Sequence, residues 1–295
     1  MAVTLRMKHL RTPQSTIKGS LFLACYLISI VAVPALAQAT HHLFTTVVFA
    51  VLTAVTLKGL NNIVHECSHN SFSDSHSYND RVGKLLCALL LMNFASYKKE
   101  HRSHHMHLGN YALDDDFKLR LNLGHNRPTT WPRVLRDLIM LRFVWFYFPR
   151  TSMQDPYHSF GLALYMGIGA SLYIADINYA IWTLILAHAV FLPFLRYLID
   201  IVDHGGLYTT ELDEIYKSRN FIVHNTVLRT LFFPRNDCYH LIHHLYPYIP
   251  VHCFGKAHEL LMEDPVYAQL HHHASLKTFE SRVTIEPNHV EGSRS

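Results

Sequence analysis

Residues Leu43 to His69 read LFTTVVFAVLTAVTLKGLNNIVHECSH. The apolar run from about Leu43 to Val64 is close to the ~20 residues an α-helix needs to cross the hydrocarbon core of a bilayer. It ends on His65-Glu66-Cys67-Ser68-His69, where two imidazoles four residues apart fall on one face of a helix. This stretch predicts a membrane span that delivers metal-ligating side chains to one surface of the bilayer.

Outward from it, three further runs are long enough to be read as spans: about Ile17–Ala39, Ser159–Ala175 and Tyr179–Ile199, with Ser159–Ala175 at the short end. A run at Val82–Tyr97 fits either a partial span or an interfacial helix. The connections Gln38–His42 and Asp176–Asn178 contain no Lys or Arg. Basic residues gather at the start of the chain up to the first turn of the first span (Arg6, Lys8, Arg11 and Lys18), between Lys98 and Arg150, and after Asp200. The positive-inside rule therefore expects those three regions in the cytoplasm. Trp131–Arg150 alternates Arg with Leu, Phe, Trp and Tyr, a pattern suited to a helix lying at the membrane surface. Ala35-Leu36-Ala37 also offers a signal-peptide cleavage pattern, and with either reading the second span enters from outside. The expected fold is all-α and integral to the membrane, with about four transmembrane helices and a cytoplasmic helical cap. Its parts are a basic N-terminus at 1–16, a transmembrane domain at 17–275 and a mobile tail at 276–295.

Composition agrees with a membrane. Charged residues are 16% of the chain, against about 25% in ordinary soluble proteins. The mean hydropathy of +0.08 is low for a bundle with short loops, so a sizeable part of the chain lies in water. A net charge of +4 with no basic–aromatic stretch gives nucleic acid no footprint. The five cysteines show no paired spacing, which fits a reducing compartment.

The chain has 24 histidines, and two more clusters follow the first: His101-Arg102-Ser103-His104-His105 and His240-Leu241-Ile242-His243-His244. A chance H-x-x-H-H arises about 0.15 times in a chain of this composition. Two copies beside an H-x-x-x-H, all at the expected cytoplasmic ends of spans, point to a metal site. Imidazole suits zinc, copper, iron and nickel alike. The ligand number is more informative, because a catalytic zinc uses three protein ligands. Eight nitrogens can serve two ions, and two redox-active ions can supply electrons for oxygen activation, which zinc cannot.

HECSH followed by N-S-F, then HRSHH, then YHLIHHLYPYIP resembles the three-box pattern of the membrane fatty acid desaturases over about residues 18 to 262. The resemblance implies a di-iron centre held by His65, His69, His101, His104, His105, His240, His243 and His244. His204, just past the last span, matches a further histidine that members often supply. Asn236 resembles an asparagine that holds a water near one iron, and Asp203 and Asp116 are the candidate carboxylates behind the ligands. The implied activity is insertion of a C=C bond into a fatty acyl or similar amphiphile, with O2 as co-substrate. Hydroxylase or ketolase chemistry on the same scaffold remains open. The sequence contains no haem-binding H-P-G-G, so a separate ferredoxin- or cytochrome-like donor is expected. Cys238 departs from the pattern, standing where relatives commonly have Asn.

Two rivals come from other classes. HECSH is formally H-E-x-x-H, the zinc-protease signature with Glu as general base, but that leaves five box histidines without a role. A metal transporter should carry its ionisable ligands near the middle of several spans, not at their ends. Of the remaining histidines, His188 reads as a hydrogen-bonded core residue, and His271–His273 as exposed or interfacial.

Overall fold

The computed structural model describes residues 7–116, 129–147, 156–207 and 213–274. Among them there is no strand, only an isolated bridge between Ile222 and His273. Two antiparallel hairpins dominate. In the first, α1 (Thr16–Thr40) and α2 (Leu43–Ser68) meet at His41, whose left-handed φ of 46° reverses the chain. In the second, α7 (Pro156–Ile174) turns at Asp176 into α8 (Asn178–His204). Gln38 Oε1 accepts the Tyr179 and Ala180 N–H groups, capping α8 from the end of α1. Both turns therefore lie on one side of the bundle, and the histidine-bearing ends of α2 and α8 lie on the other.

Helices α1, α2 and α8 are long and apolar enough to cross a membrane, while Ser159–Ile174 is an apolar helix of shorter reach. Ile17, Ile28 and Val31 on α1 are 76%, 66% and 70% exposed, an apolar surface that lipid rather than water satisfies. In contrast α2 runs through the core, where Leu57, Leu60, Ile63 and Val64 are fully buried. Gly59 allows the close packing of α1 on α2, because a Cβ there would stand 2.1 Å from the Tyr26 ring. Within α8 a single π-turn at Ala187–Phe191 precedes Pro193, and the Leu192 N–H reaches back to the Ala187 carbonyl. The wider turn accommodates a proline that has no N–H to donate. His188 sits in it half-buried and hydrogen-bonded, 2.8 Å from Tyr165 Oη and 3.0 Å from the Leu184 carbonyl.

The ambiguous run at Val82–Tyr97 is neither a span nor one helix. It divides between α3 (His76–Leu89) and α4 (Phe94–His107), broken at Leu91 (φ 54°) and restarted by the Asn93 side chain, which accepts the Ser96 N–H at 2.7 Å. The amphipathic segment forms α5 (Trp131–Ile139) and α6 (Arg142–Tyr147). Leu135, Ile139 and Met140 are more than half exposed there, as an interfacial helix requires. Asp137 faces inward between Arg136, Arg142 and the Tyr197 hydroxyl.

The cap has its own apolar core. It is built by α10 (His240–Leu245), α11 (Phe254–Leu261), α12 (Pro265–Ala268) and the end of α8, with Phe233 added just after α9 (Thr226–Phe232). Met7 and Leu10 from the basic N-terminal stretch are buried in this core, and the Arg11 guanidinium lies 3.6 Å from the Tyr248 ring centroid. The tail at 276–295 lies outside the described residues, as do 148–150 of the amphipathic segment.

Candidate metal centre

Four segments converge where the spans meet the cap. His65 occupies the last turn of α2, and His69 is its C-terminal cap. His101, His104 and His105 lie along α4, where a spacing of three and four keeps them on one face. His204 ends α8, and Gly205 follows it because a Cβ there would stand 2.5 Å from the Ile201 carbonyl oxygen. His240, His243 and His244 are on α10.

The nine rings form two groups. His65, His69, His101, His105 and His243 make one, and His104, His204, His240 and His244 the other; within each, one ligand atom per residue lies within 4.8 Å of all the rest. In the five-histidine group, His101 Nε2 stands 2.8 Å from His65 Nε2, 2.8 Å from His69 Nε2 and 3.0 Å from His105 Nε2. His243 Nε2 is 2.8 Å from both His65 and His105. In the four-histidine group, His240 Nε2 is 2.8 Å from His204 and 3.0 Å from His244, and His104 is 3.3 Å from His204.

Hydrogen bonding does not account for this packing. A neutral imidazole nitrogen either donates one proton or accepts, so His101 Nε2 cannot satisfy three neighbours of its own kind. A cation between them can. Ligands about 2.1 Å from an ion lie about 3.0 Å apart at right angles and about 3.4 Å apart at tetrahedral angles, close to the observed 2.8 to 3.3 Å.

The outward nitrogens fit the same purpose. His104 Nδ1 is 3.0 Å from Asp114 Oδ2, His240 Nδ1 is 3.3 Å from Asp203 Oδ2, and His204 Nδ1 is 2.9 Å from the Lys217 carbonyl. Each acceptor takes the Nδ1 proton and leaves the Nε2 lone pair pointing inward, the usual arrangement behind metal-bound histidine. Burial, followed by repulsion from His65 and Lys98, pushes His69 down to about 3. Burial and the neighbouring imidazoles likewise hold His101, His105, His240, His243 and His244 well below the ordinary histidine range. These rings stay neutral at pH 7, as ligands must.

The same shifts give a pH dependence. Unfolded imidazoles take up protons near pH ~6.5, while the folded ones resist until the pH is far lower. The unfolded chain therefore binds more protons in the window between those values. The contribution to stability is complete above about pH 6.5 and declines as the pH falls. Chelator-treated protein is expected to melt at a lower temperature at about pH 5 than at about pH 7.5. Identical melting curves would contradict these burial-driven shifts.

Some positions differ from the sequence reading. The carboxylate behind His104 is Asp114, fully buried, rather than Asp116. Asp116 lies where its charge helps to raise the Glu100 carboxyl, after burial. Asn236 donates to the Val251 carbonyl at 3.3 Å and has a left-handed φ of 58°. His272, expected at the surface, is buried, with Nε2 2.7 Å from the Tyr267 carbonyl. Cys238 is buried, and its carbonyl accepts the Phe221 N–H. Glu66 does not face the histidines: both its carboxylate oxygens accept from Arg235, Oε2 at 2.8 Å from Nη2. Its partner lies 169 residues away, too far for local spacing to reveal.

Over 235 residues, 72% of this chain, it is 26% identical to the dihydrorhizobitoxine desaturase of Bradyrhizobium elkanii. It is 26% identical over 262 residues to an acyl-lipid (9+3)-(E)-desaturase of Dimorphotheca sinuata, and 32% identical over 103 residues to a delta-12 fatty acid desaturase of Calendula officinalis. The matched regions span 66%, 66% and 27% of those relatives' own lengths. A sequence model described as fatty acid desaturase matches residues 40–276, a region that holds all three boxes and His204. With that match running through most of the chain and through every converging histidine, this protein is a member of the fatty acid desaturase family.

Proposed function

We propose that this chain is an oxygen-dependent membrane desaturase that holds two iron ions, one in each histidine group. It would introduce a C=C bond into a fatty acyl or similarly amphiphilic substrate. The observation that carries the reading is the division of nine buried or half-buried imidazoles into a five and a four. When bound, a pair of redox ions supplies electrons for reducing O2 and the oxidising power to remove hydrogen from two neighbouring carbons.

The chain's own residues do the rest. Asp114, Asp203 and the Lys217 carbonyl fix the tautomers of His104, His240 and His204. The rigid ends of α2, α4, α8 and α10 preset the ring positions, so little reorganisation accompanies binding. The apolar cores of the bundle and the cap flank the site and limit the access of water. A site at the ends of spans suits a molecule whose tail lies in the bilayer and whose polar end reaches the cap. The basic flanks favour the cytoplasm for that side, where a separate ferredoxin- or cytochrome-like donor would deliver electrons. The two relatives aligned over about 70% of the chain name different substrates, dihydrorhizobitoxine and an acyl-lipid, so their names share desaturation and not the carrier.

The geometry disfavours the rivals. A zinc protease needs Glu66 free to act on water, and Arg235 occupies it. A transporter needs ligands along a mid-membrane path, and the histidine groups lie at span ends.

The test is expression in a host membrane with lipid and small-metabolite mass spectrometry. The expected product has lost two hydrogens, depends on O2, and is absent with His104→Ala although that variant remains in the membrane. A product that has gained one oxygen would replace desaturation by hydroxylation. Full activity in His104→Ala would overturn the reading.

A further inference from the structure

Two ion pairs of opposite orientation join α2 to the loop that leads into α10. On α2, Lys58 lies about 10 Å along the axis from His65, and Glu66 lies directly beside it. The loop carries the complementary charges two residues apart. Arg235 grips Glu66 through both carboxylate oxygens, and Asp237 Oδ2 lies 2.5 Å from Lys58 Nζ. Lys58 also donates to Asn62 Oδ1 at 2.6 Å, and Asn62 Nδ2 donates to the Pro234 carbonyl at 2.7 Å. The four charged side chains are nearly excluded from solvent, at 7% and 11% exposure for Lys58 and Asp237 and 7% and 2% for Arg235 and Glu66.

Buried ion pairs are a weak means of stabilising a fold, since desolvation offsets much of the attraction; their best-attested use is to specify register. The charge order here suits that use. The helix offers plus then minus, and the loop offers plus then minus to the opposite partners, so displacement along α2 separates both pairs at once. Between the two contacts the backbone is held in an unfavourable form, with Arg235 and Asn236 both left-handed at φ 63° and 58°. Three residues after Asp237, α10 begins. It supplies His243 to the five-histidine group and His240 and His244 to the other, so an error in loop register displaces ligands in both.

We propose that Lys58, Glu66, Arg235 and Asp237 form a charge-coded register lock that seats α10 against α2 and so sets the spacing of the two histidine groups. They are positioning residues, and the consequence for metal binding rests on the proposed di-iron reading.

The test uses full-length protein in detergent, with two readouts: hydrogen exchange of the 240–245 amides after chelation, and iron per chain with its electronic spectrum. Three variants are compared with the parent: the reversal Asp237→Lys, the swap Lys58→Glu with Asp237→Lys, and the apolar pair Lys58→Met with Asp237→Leu. The apolar pair is chosen to stay folded where the reversal fails. The apolar pair is expected to melt no lower than the parent, yet to exchange at 240–245 at least ~10-fold faster and to give an altered iron spectrum. The swap is expected to recover most of what the reversal loses. Parent-like exchange and spectrum in the apolar pair, or a swap as defective as the reversal, would overturn the lock. Parent protein without iron would sink the di-iron reading, and the exchange measurement would still decide the lock.

Discussion

His240→Ala is expected to lower the metal content from two ions to one per chain and to reduce product formation by more than about 100-fold. His240 Nε2 is the close neighbour of both His204 and His244, at 2.8 and 3.0 Å. Without it the smaller group has three nitrogens left, and the carboxylate of Asp203 loses the imidazole it faces. Loss of a residue behind a ligand typically costs 10–100-fold in metal affinity or activity, and loss of a ligand should cost more. His243→Ala provides the contrast, because the larger group would still hold four histidines. That variant is expected to retain more metal than His240→Ala. Metal analysis of the two proteins side by side checks the order, and the reverse order would contradict the division into five and four.

Asp114→Ala is expected to weaken the smaller group by about 10–100-fold in metal affinity. Asp114 is fully buried and is the acceptor next to His104 Nδ1, so its removal frees that ring to rotate or change tautomer. Asp114→Asn should be milder, since an amide oxygen can still accept the proton. Asp116→Ala should be milder again, because Asp114 holds the bracing position. Competition with a graded chelator measures all three, and an Asp116 effect larger than that of Asp114 would contradict the placement.

The two aspartates also show where sequence reading stops. The eight box histidines were legible from their helical spacing at the ends of spans, whereas His204 was legible only through the resemblance to the desaturases. Choosing among Asp114, Asp115 and Asp116 depends instead on how the chain reverses after α4. Gly109, at φ 79°, begins the reversal that turns Asp114 back toward His104. No periodicity encodes that choice. The spans were legible from hydropathy, whereas the division of Val82–Tyr97 was not, because Leu91 keeps the run apolar while its left-handed backbone ends the helix. Asn93 was the available signal, a capping residue within an apolar stretch. The pairing of Glu66 with Arg235 and of Lys58 with Asp237 had no local signal, since the partners are 169 and 179 residues apart.

The proposal that two redox ions sit between these rings is tested most directly by elemental analysis of full-length protein purified from membranes, joined to Mössbauer spectroscopy of iron-57-enriched material. Two irons per chain, falling to one when His104 of the smaller group is replaced, is the outcome expected. A preparation holding one zinc and no iron would remove the basis for oxygen chemistry at this site.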